Sequence, residues 1–115
     1  MITLYGIKNC DTVKKARQWL DKNQIEYRFH DFREDGLSKP QVKKWASELG
    51  WETLVNKRST TWKGLSDKTK ASLNDQSVID IIIESPTLIK RPLIDTGNKR
   101  SVGFKADTYQ TLLNE

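Results

Sequence analysis

The sequence is short of the residues that most often announce chemistry. It has one cysteine, one histidine and one methionine in 115 residues, with only three prolines. A single cysteine excludes an internal disulfide, and Cys10 with His30 falls short of a zinc-ligand set, so no metal site is expected. Dispensing with disulfides suits a reducing compartment, and the cytoplasm is the expected location. Long apolar runs are missing as well. The longest, Val78 to Ile83, is interrupted by Asp80, whereas a membrane span needs about 20 apolar residues. Met1-Ile2-Thr3-Leu4-Tyr5 carries neither a basic region nor a cleavage signature, so no secretion signal is expected.

What is present fits a globular chain. Hydrophobic residues make up 36% and charged residues 30%, enough apolar material for one compact domain over residues 1–115. The formal net charge is +5. Its carriers are scattered as pairs, Lys14-Lys15, Lys43-Lys44, Lys57-Arg58, Lys90-Arg91 and Lys99-Arg100. They read as solvated helix faces and turns, which argues against a dedicated nucleic-acid patch. An anionic small molecule or an acidic protein surface suits the charge equally well.

Ile2 to Gly6 reads as a short buried strand. From Asp11 the period changes: Val13, Ala16, Trp19 and Leu20 lie on one face of a helix running to about Lys22. Ile25 to Phe32 reads as a second strand, and a right-handed crossover makes the two parallel. Ser38-Lys39-Pro40-Gln41 forms a capping box. A helix with a Val42, Trp45, Ala46, Leu49 stripe follows and ends at Gly50. Trp51 to Trp62 is polar apart from Leu54 and Val55, and is expected to be an ordered loop. Ser66 opens a short helix, and Asn74 or Asp75 caps another through Val78, Ile79, Ile82 and Ile83, stopped at Ser85-Pro86. After Pro86 the pattern returns to strands: Leu88-Ile89 leads into Arg91-Pro92-Leu93-Ile94-Asp95, Thr96-Gly97-Asn98-Lys99 is a hairpin turn, and Ser101-Val102-Gly103 is the return strand. Ala106, Tyr109, Leu112 and Leu113 mark a last helix. The order is βαβ, three helices, ββα.

Cys10 falls between a strand and a helix. Unpaired N–H groups and the positive end of the helix dipole favour an anion there, so the thiol is expected to ionise more readily. Lys8 and Lys14 add to this, and Asp11 opposes it. A lone cysteine is more often a buried, inert small hydrophobe, but Lys8-Asn9 before it and Asp11-Thr12 after it are polar. Arg91-Pro92 precedes a strand. It reads either as a strand-edge proline or as a cis peptide bringing the Arg91 guanidinium near the loop of Cys10. Asn56, Lys57 and Arg58 lie in a loop, where solvation is the ordinary role of such residues. His30 sits in a strand without an apparent catalytic partner. Trp19 and Trp45 fall on core stripes, while Trp51 and Trp62 have no such assignment.

The segments Tyr5-Gly6-Ile7-Lys8-Asn9-Cys10-Asp11-Thr12-Val13-Lys14-Lys15-Ala16, Leu88-Ile89-Lys90-Arg91-Pro92 and Val102-Gly103-Phe104 together resemble the arsenate reductase-like (ArsC/Spx) family, most closely its YffB branch. The resemblance covers essentially the whole chain. It implies an α/β, thioredoxin-like fold: a mixed four-stranded sheet flanked by helices, with a core over 1–35 and 86–115 and a helical insertion over 36–85. In the arsenate reductases the cysteine matching Cys10 attacks arsenate, and glutathione and glutaredoxin resolve the adduct. The arginine matching Arg91 helps bind the oxyanion, and the proline matching Pro92 is cis. Asn56 and Phe104 stand where those enzymes use further arginines, with Arg58 and Lys105 nearby.

The resemblance therefore implies a glutathione-dependent reductase with Cys10 as nucleophile and Lys8, Asn9, Arg91, Pro92 and Arg58 around the substrate. No bound cofactor is implied. Glutathione is the co-substrate, a small oxidised or thiol compound the substrate, and glutaredoxin a further partner. The Spx regulators share the fold, bind the RNA polymerase α subunit and often carry a Cys-x-x-Cys switch. Val13 replaces the second cysteine here, so the alternative is a polymerase-binding protein without a redox switch.

Overall fold

Strand β1 (Thr3–Gly6) ends in a glycine for a spatial reason. A Cβ on Gly6 would lie 2.7 Å from Val13 Cγ2, so only glycine lets helix α1 (Asp11–Lys22) cross this close to the strand. Val13, Ala16 and Leu20 form the buried stripe of α1. The helix connects β1 to β2 (Arg28–Asp31), which pair in parallel with Thr3 opposite Arg28 and Gly6 opposite Asp31. In this computed structural model, which describes residues 2–113, β2 is shorter than the Ile25–Phe32 run suggests. Gln24 takes a positive φ of 56° and the Ile25 N–H returns to the Leu20 carbonyl, so the chain leaving α1 spends those residues on its exit. At the other end the Asp31 carboxylate takes the N–H groups of Arg33 and Glu34 and turns the strand aside.

β3 (Leu93–Asp95) runs antiparallel to β1, with Leu4 opposite Ile94, and β4 (Arg100–Val102) runs antiparallel to β3. Their hairpin is closed by the Thr96 N–H donating to the Lys99 carbonyl at 3.0 Å, with Gly97 at φ 95°. The sheet order is β2-β1-β3-β4. Helix α7 (Ala106–Leu113) completes this unit, which comprises residues 1–35 and 91–115. Leu4, Ala16, Leu20, Ile94 and Tyr109 are fully buried together, and each large aliphatic side chain so buried contributes about 1.5–3 kcal/mol. Tyr109 is wedged edge-on between Trp19 and Phe104, at 5.8 and 4.9 Å. Burial pushes its phenol well above the ordinary tyrosine range.

Residues 36–90 form a second compact unit, built of helices. The Gln41 N–H donates to Ser38 Oγ at 3.3 Å, which starts α2 (Lys39–Leu49), and Gly50 at φ 82° ends it. Val42, Trp45 and Ala46 are its buried face. The expected loop from Trp51 to Trp62 instead contains two single turns of helix, α3 (Trp51–Leu54) and α4 (Thr60–Lys63). Ser59 nucleates the second: its Oγ accepts from the Trp62 N–H at 3.1 Å while its hydroxyl donates to the Asn56 carbonyl at 2.7 Å. α5 (Asp67–Ala71) is capped by Ser66, and α6 (Ser77–Glu84) by Asn74, whose Oδ1 accepts from the N–H groups of Gln76 and Ser77. Asp75 binds the Trp51 N–H instead. Five helices and a 3₁₀ turn (Pro86–Leu88) thus stand where three helices were expected. Among the described residues, no helix is long and apolar enough to cross a membrane.

Candidate functional site

The sheet register brings four chain segments to one end of the first unit. Gly6, the last residue of β1, faces Asp31, the last of β2; Tyr5 faces Leu93, the first of β3; and Leu93 faces Val102, the last of β4. Two hydrogen bonds continue these pairings one step outward. Phe32 N–H donates to the Gly6 carbonyl and Gly103 N–H donates to the Pro92 carbonyl, both at 2.9 Å. The segments Ile7–Cys10, Phe32–Asp35, Arg91–Pro92 and Gly103–Phe104 therefore share one rim. The Arg91–Pro92 peptide is cis. Pro92 is buried, and Arg91 is half-buried.

Cys10 occupies the N-cap of α1, with extended backbone at φ −108° and ψ 123°. Its carbonyl accepts from the Lys14 N–H at 3.0 Å, the first bond of the helix. Its side chain caps nothing and is half-buried. The thiol thus sits at the N-terminal end of a twelve-residue helix.

Lys8 and Asn9 are exposed. The Lys8 ammonium donates to both oxygens of Glu34 at 2.9 Å. Those hydrogen bonds first, and the charge of Glu34 second, hold its pKa above the ordinary lysine value. Glu34 was not among the residues singled out from the sequence. It is positioned by Asp31, whose carboxylate accepts from the Arg33 N–H at 2.7 Å and the Glu34 N–H at 3.3 Å. Asp31 is only 4% exposed. Burial pushes its carboxyl up, but the backbone N–H groups of Arg33, Glu34 and Lys8, with the Lys8 charge, outweigh that and leave it below the usual range. The string Asp31-Phe32-Arg33-Glu34-Asp35-Gly36 is rich in turn formers, but nothing in it names Lys8 as the partner.

The remaining residues have contacts of their own. Arg58 belongs to the 36–90 unit, on the segment between α3 and α4, where its backbone N–H donates to Asn56 Oδ1 at 3.0 Å. Asn56 shapes that turn and also donates its N–H to the Leu88 carbonyl. Phe104 packs edge-on against Tyr109. His30 lies beside Tyr5 with ring centroids 4.8 Å apart.

The ArsC family model matches residues 5–112. An uncharacterized protein of Haemophilus influenzae is 49% identical over 110 residues, covering 96% of each chain. The solved structure of the YffB protein PA3664 superposes with a TM-score of 0.92 at 40% identity, covering 96% of this chain and 97% of that one. The global transcriptional regulator Spx of Streptococcus pyogenes is 30% identical over 117 residues, covering 99% of this chain and 86% of the relative.

Proposed function

The chain belongs to the ArsC family, and from that premise we propose that it is a glutathione-dependent thiol–disulfide reductase with Cys10 as its nucleophile. The observation that carries this reading is the half-buried Cys10 thiol, unused as a cap, at the head of α1 on the rim shared with Arg91 and Pro92. The Cys10 thiolate attacks the glutathione-side sulfur of a mixed disulfide R–S–S–G. A sulfur–sulfur bond forms to Cys10 as the original one breaks, and R–S⁻ leaves and takes up a proton. A second glutathione, as thiolate, attacks the glutathione-side sulfur of this adduct, releasing oxidised glutathione and the Cys10 thiolate. In sum, R–S–S–G and one glutathione thiol give R–SH and the glutathione disulfide. A protein with one cysteine must take its resolving thiol from outside, which is the reason for an external reductant.

Arg91 holds a substrate carboxylate by charge-assisted hydrogen bonds, with Asn9 and Lys8 on the same rim. Disulfide chemistry suits the chain better than arsenate reduction, because Asn56 builds a turn and Phe104 packs on Tyr109 where the arsenate enzymes use arginines. A reducing, glutathione-rich cytoplasm supplies the co-substrate, and glutaredoxin is an alternative resolving partner. The test is turnover of a glutathione mixed disulfide with glutathione present. Cys10→Ser is expected to abolish it, and Arg91→Ala to raise KM more than it lowers kcat. A Cys10→Ser protein that still turns over ends the proposal.

The Spx relative supports a second reading, a regulator that binds the RNA polymerase α subunit without a thiol switch. Equal retention of wild type and Cys10→Ser on the α C-terminal domain, with no reductase activity, selects it over the first.

A further inference from the structure

The scattered basic pairs argued against nucleic acid, but the fold of residues 36–90 gathers some of them around aromatic rings. The helical turns α3 and α4 place Trp51 and Trp62 face to face, with centroids 6.3 Å apart and planes 25° off parallel. Lys57 Nζ lies over both rings, 5.5 Å from Trp51 and 5.7 Å from Trp62, and Lys70 Nζ lies 5.5 Å over Trp62. Both indoles are half-buried rather than sealed in the core, and Lys57 and Lys63 are exposed. From Lys57 to Lys70 the chain carries five basic residues and one acid, Asp67.

We propose that the Trp51–Trp62 pair and its lysines form a binding surface for single-stranded nucleic acid. The rings supply sequence-tolerant stacking for bases, and the ammonium groups supply counter-charge for phosphates. A ligand base takes the ring face that Lys57 now covers, and the displaced ammonium is left beside the adjoining phosphate. An acidic peptide matches the lysines but has no use for two indole faces. A duplex matches the charge but keeps its base faces stacked inside. Only the unpaired strand uses both features. This surface is independent of the Cys10 chemistry.

The test is fluorescence anisotropy of a labelled oligothymidylate of about twelve nucleotides, within the range of common single-strand site sizes, across a salt series. Binding is expected to quench the intrinsic tryptophan fluorescence and to weaken steeply with salt. Trp62→Leu, with unchanged circular dichroism, is expected to lose about tenfold to a hundredfold in affinity. The exposed Lys57→Gln is expected to lower the slope of log K against log salt by about one. The proposal is overturned by absence of binding at low salt, by equal affinity for a duplex or for polyglutamate, or by binding without tryptophan quenching. If Trp62→Leu fails to fold, Lys57→Gln and the quenching measurement decide alone.

Discussion

At the scale of single residues, two positions govern how the Cys10 loop is held. Gly6 has no room for a methyl group because Val13 Cγ2 is 2.7 Å from where its Cβ would be. Val13 is β-branched and stiff, so it cannot swing aside cheaply. Gly6→Ala is expected to cost about 1–3 kcal/mol by overpacking. Adding Val13→Ala should recover part of that loss, so the two changes will be non-additive in denaturant titration. Additive losses would show that the contact is not the cause. Asp31 is the second position. Its folded pKa lies below the unfolded value, so its contribution is present above the unfolded pKa and fades as pH falls through the folded one. Asp31→Asn should therefore destabilise by about 1 kcal/mol at neutral pH. The gap to wild type should close on acidification, as read by urea midpoints across pH. The role of Asp31 was hidden in the sequence, where it read as one more residue of an aromatic-rich strand. Cys10 at a strand-to-helix junction was visible from its polar neighbours and the apolar stripe that begins at Val13.

At the scale of elements, legibility followed length. The long helices α1 and α2 repeat their apolar spacing over several turns, and Ser38 marks a start, so their bounds could be read closely. α3 and α4 are four residues each, too short for any periodicity, and the polar segment around them passed for a loop. Asn74 and Asp75 were indistinguishable as caps by residue type. Geometry separated them, since Asn74 reaches the N–H groups of α6 and Asp75 reaches Trp51. On the proposed reductase reading, the turn after β2 bears on substrate binding because it presents Glu34 to Lys8. Both side chains are more than half exposed, 57% and 61%, so the pair steers charge more than it stabilises. Glu34→Gln is expected to leave the melting temperature unchanged and to lower KM for an anionic disulfide several-fold, because the ammonium no longer has a carboxylate of its own. Lys8→Met should move KM the other way, and no change in either variant would remove Lys8 from the substrate site.

At the scale of the whole molecule, β1 and β3 are the two interior strands and β2 and β4 the edges. The amides of Leu4 and Ile94, fully buried, should be the slowest to exchange in the first unit, and those of β4 markedly faster. Equal protection across the sheet would contradict this ordering. The β1-α1-β2 crossover was readable from the change of hydrophobic period. The placement of β3 between β1 and β4 was not, because pairing of strands some ninety positions apart leaves no local trace. The resemblance of the Cys10 and Arg91-Pro92 segments to the ArsC/Spx family implied a mixed four-stranded sheet but no strand order.

The same pairing has a consequence for biosynthesis. Thr3 waits for Asp95, so on the ribosome β1 has one bare edge until more than ninety further residues have been added. At ordinary elongation speeds that interval is on the order of ten seconds. During it, β1 can pair with β2 alone, and its open side is a template for any passing strand. The nascent chain is thus most in need of a chaperone before its last quarter is translated, and variants that slow translation there should aggregate without being less stable once complete.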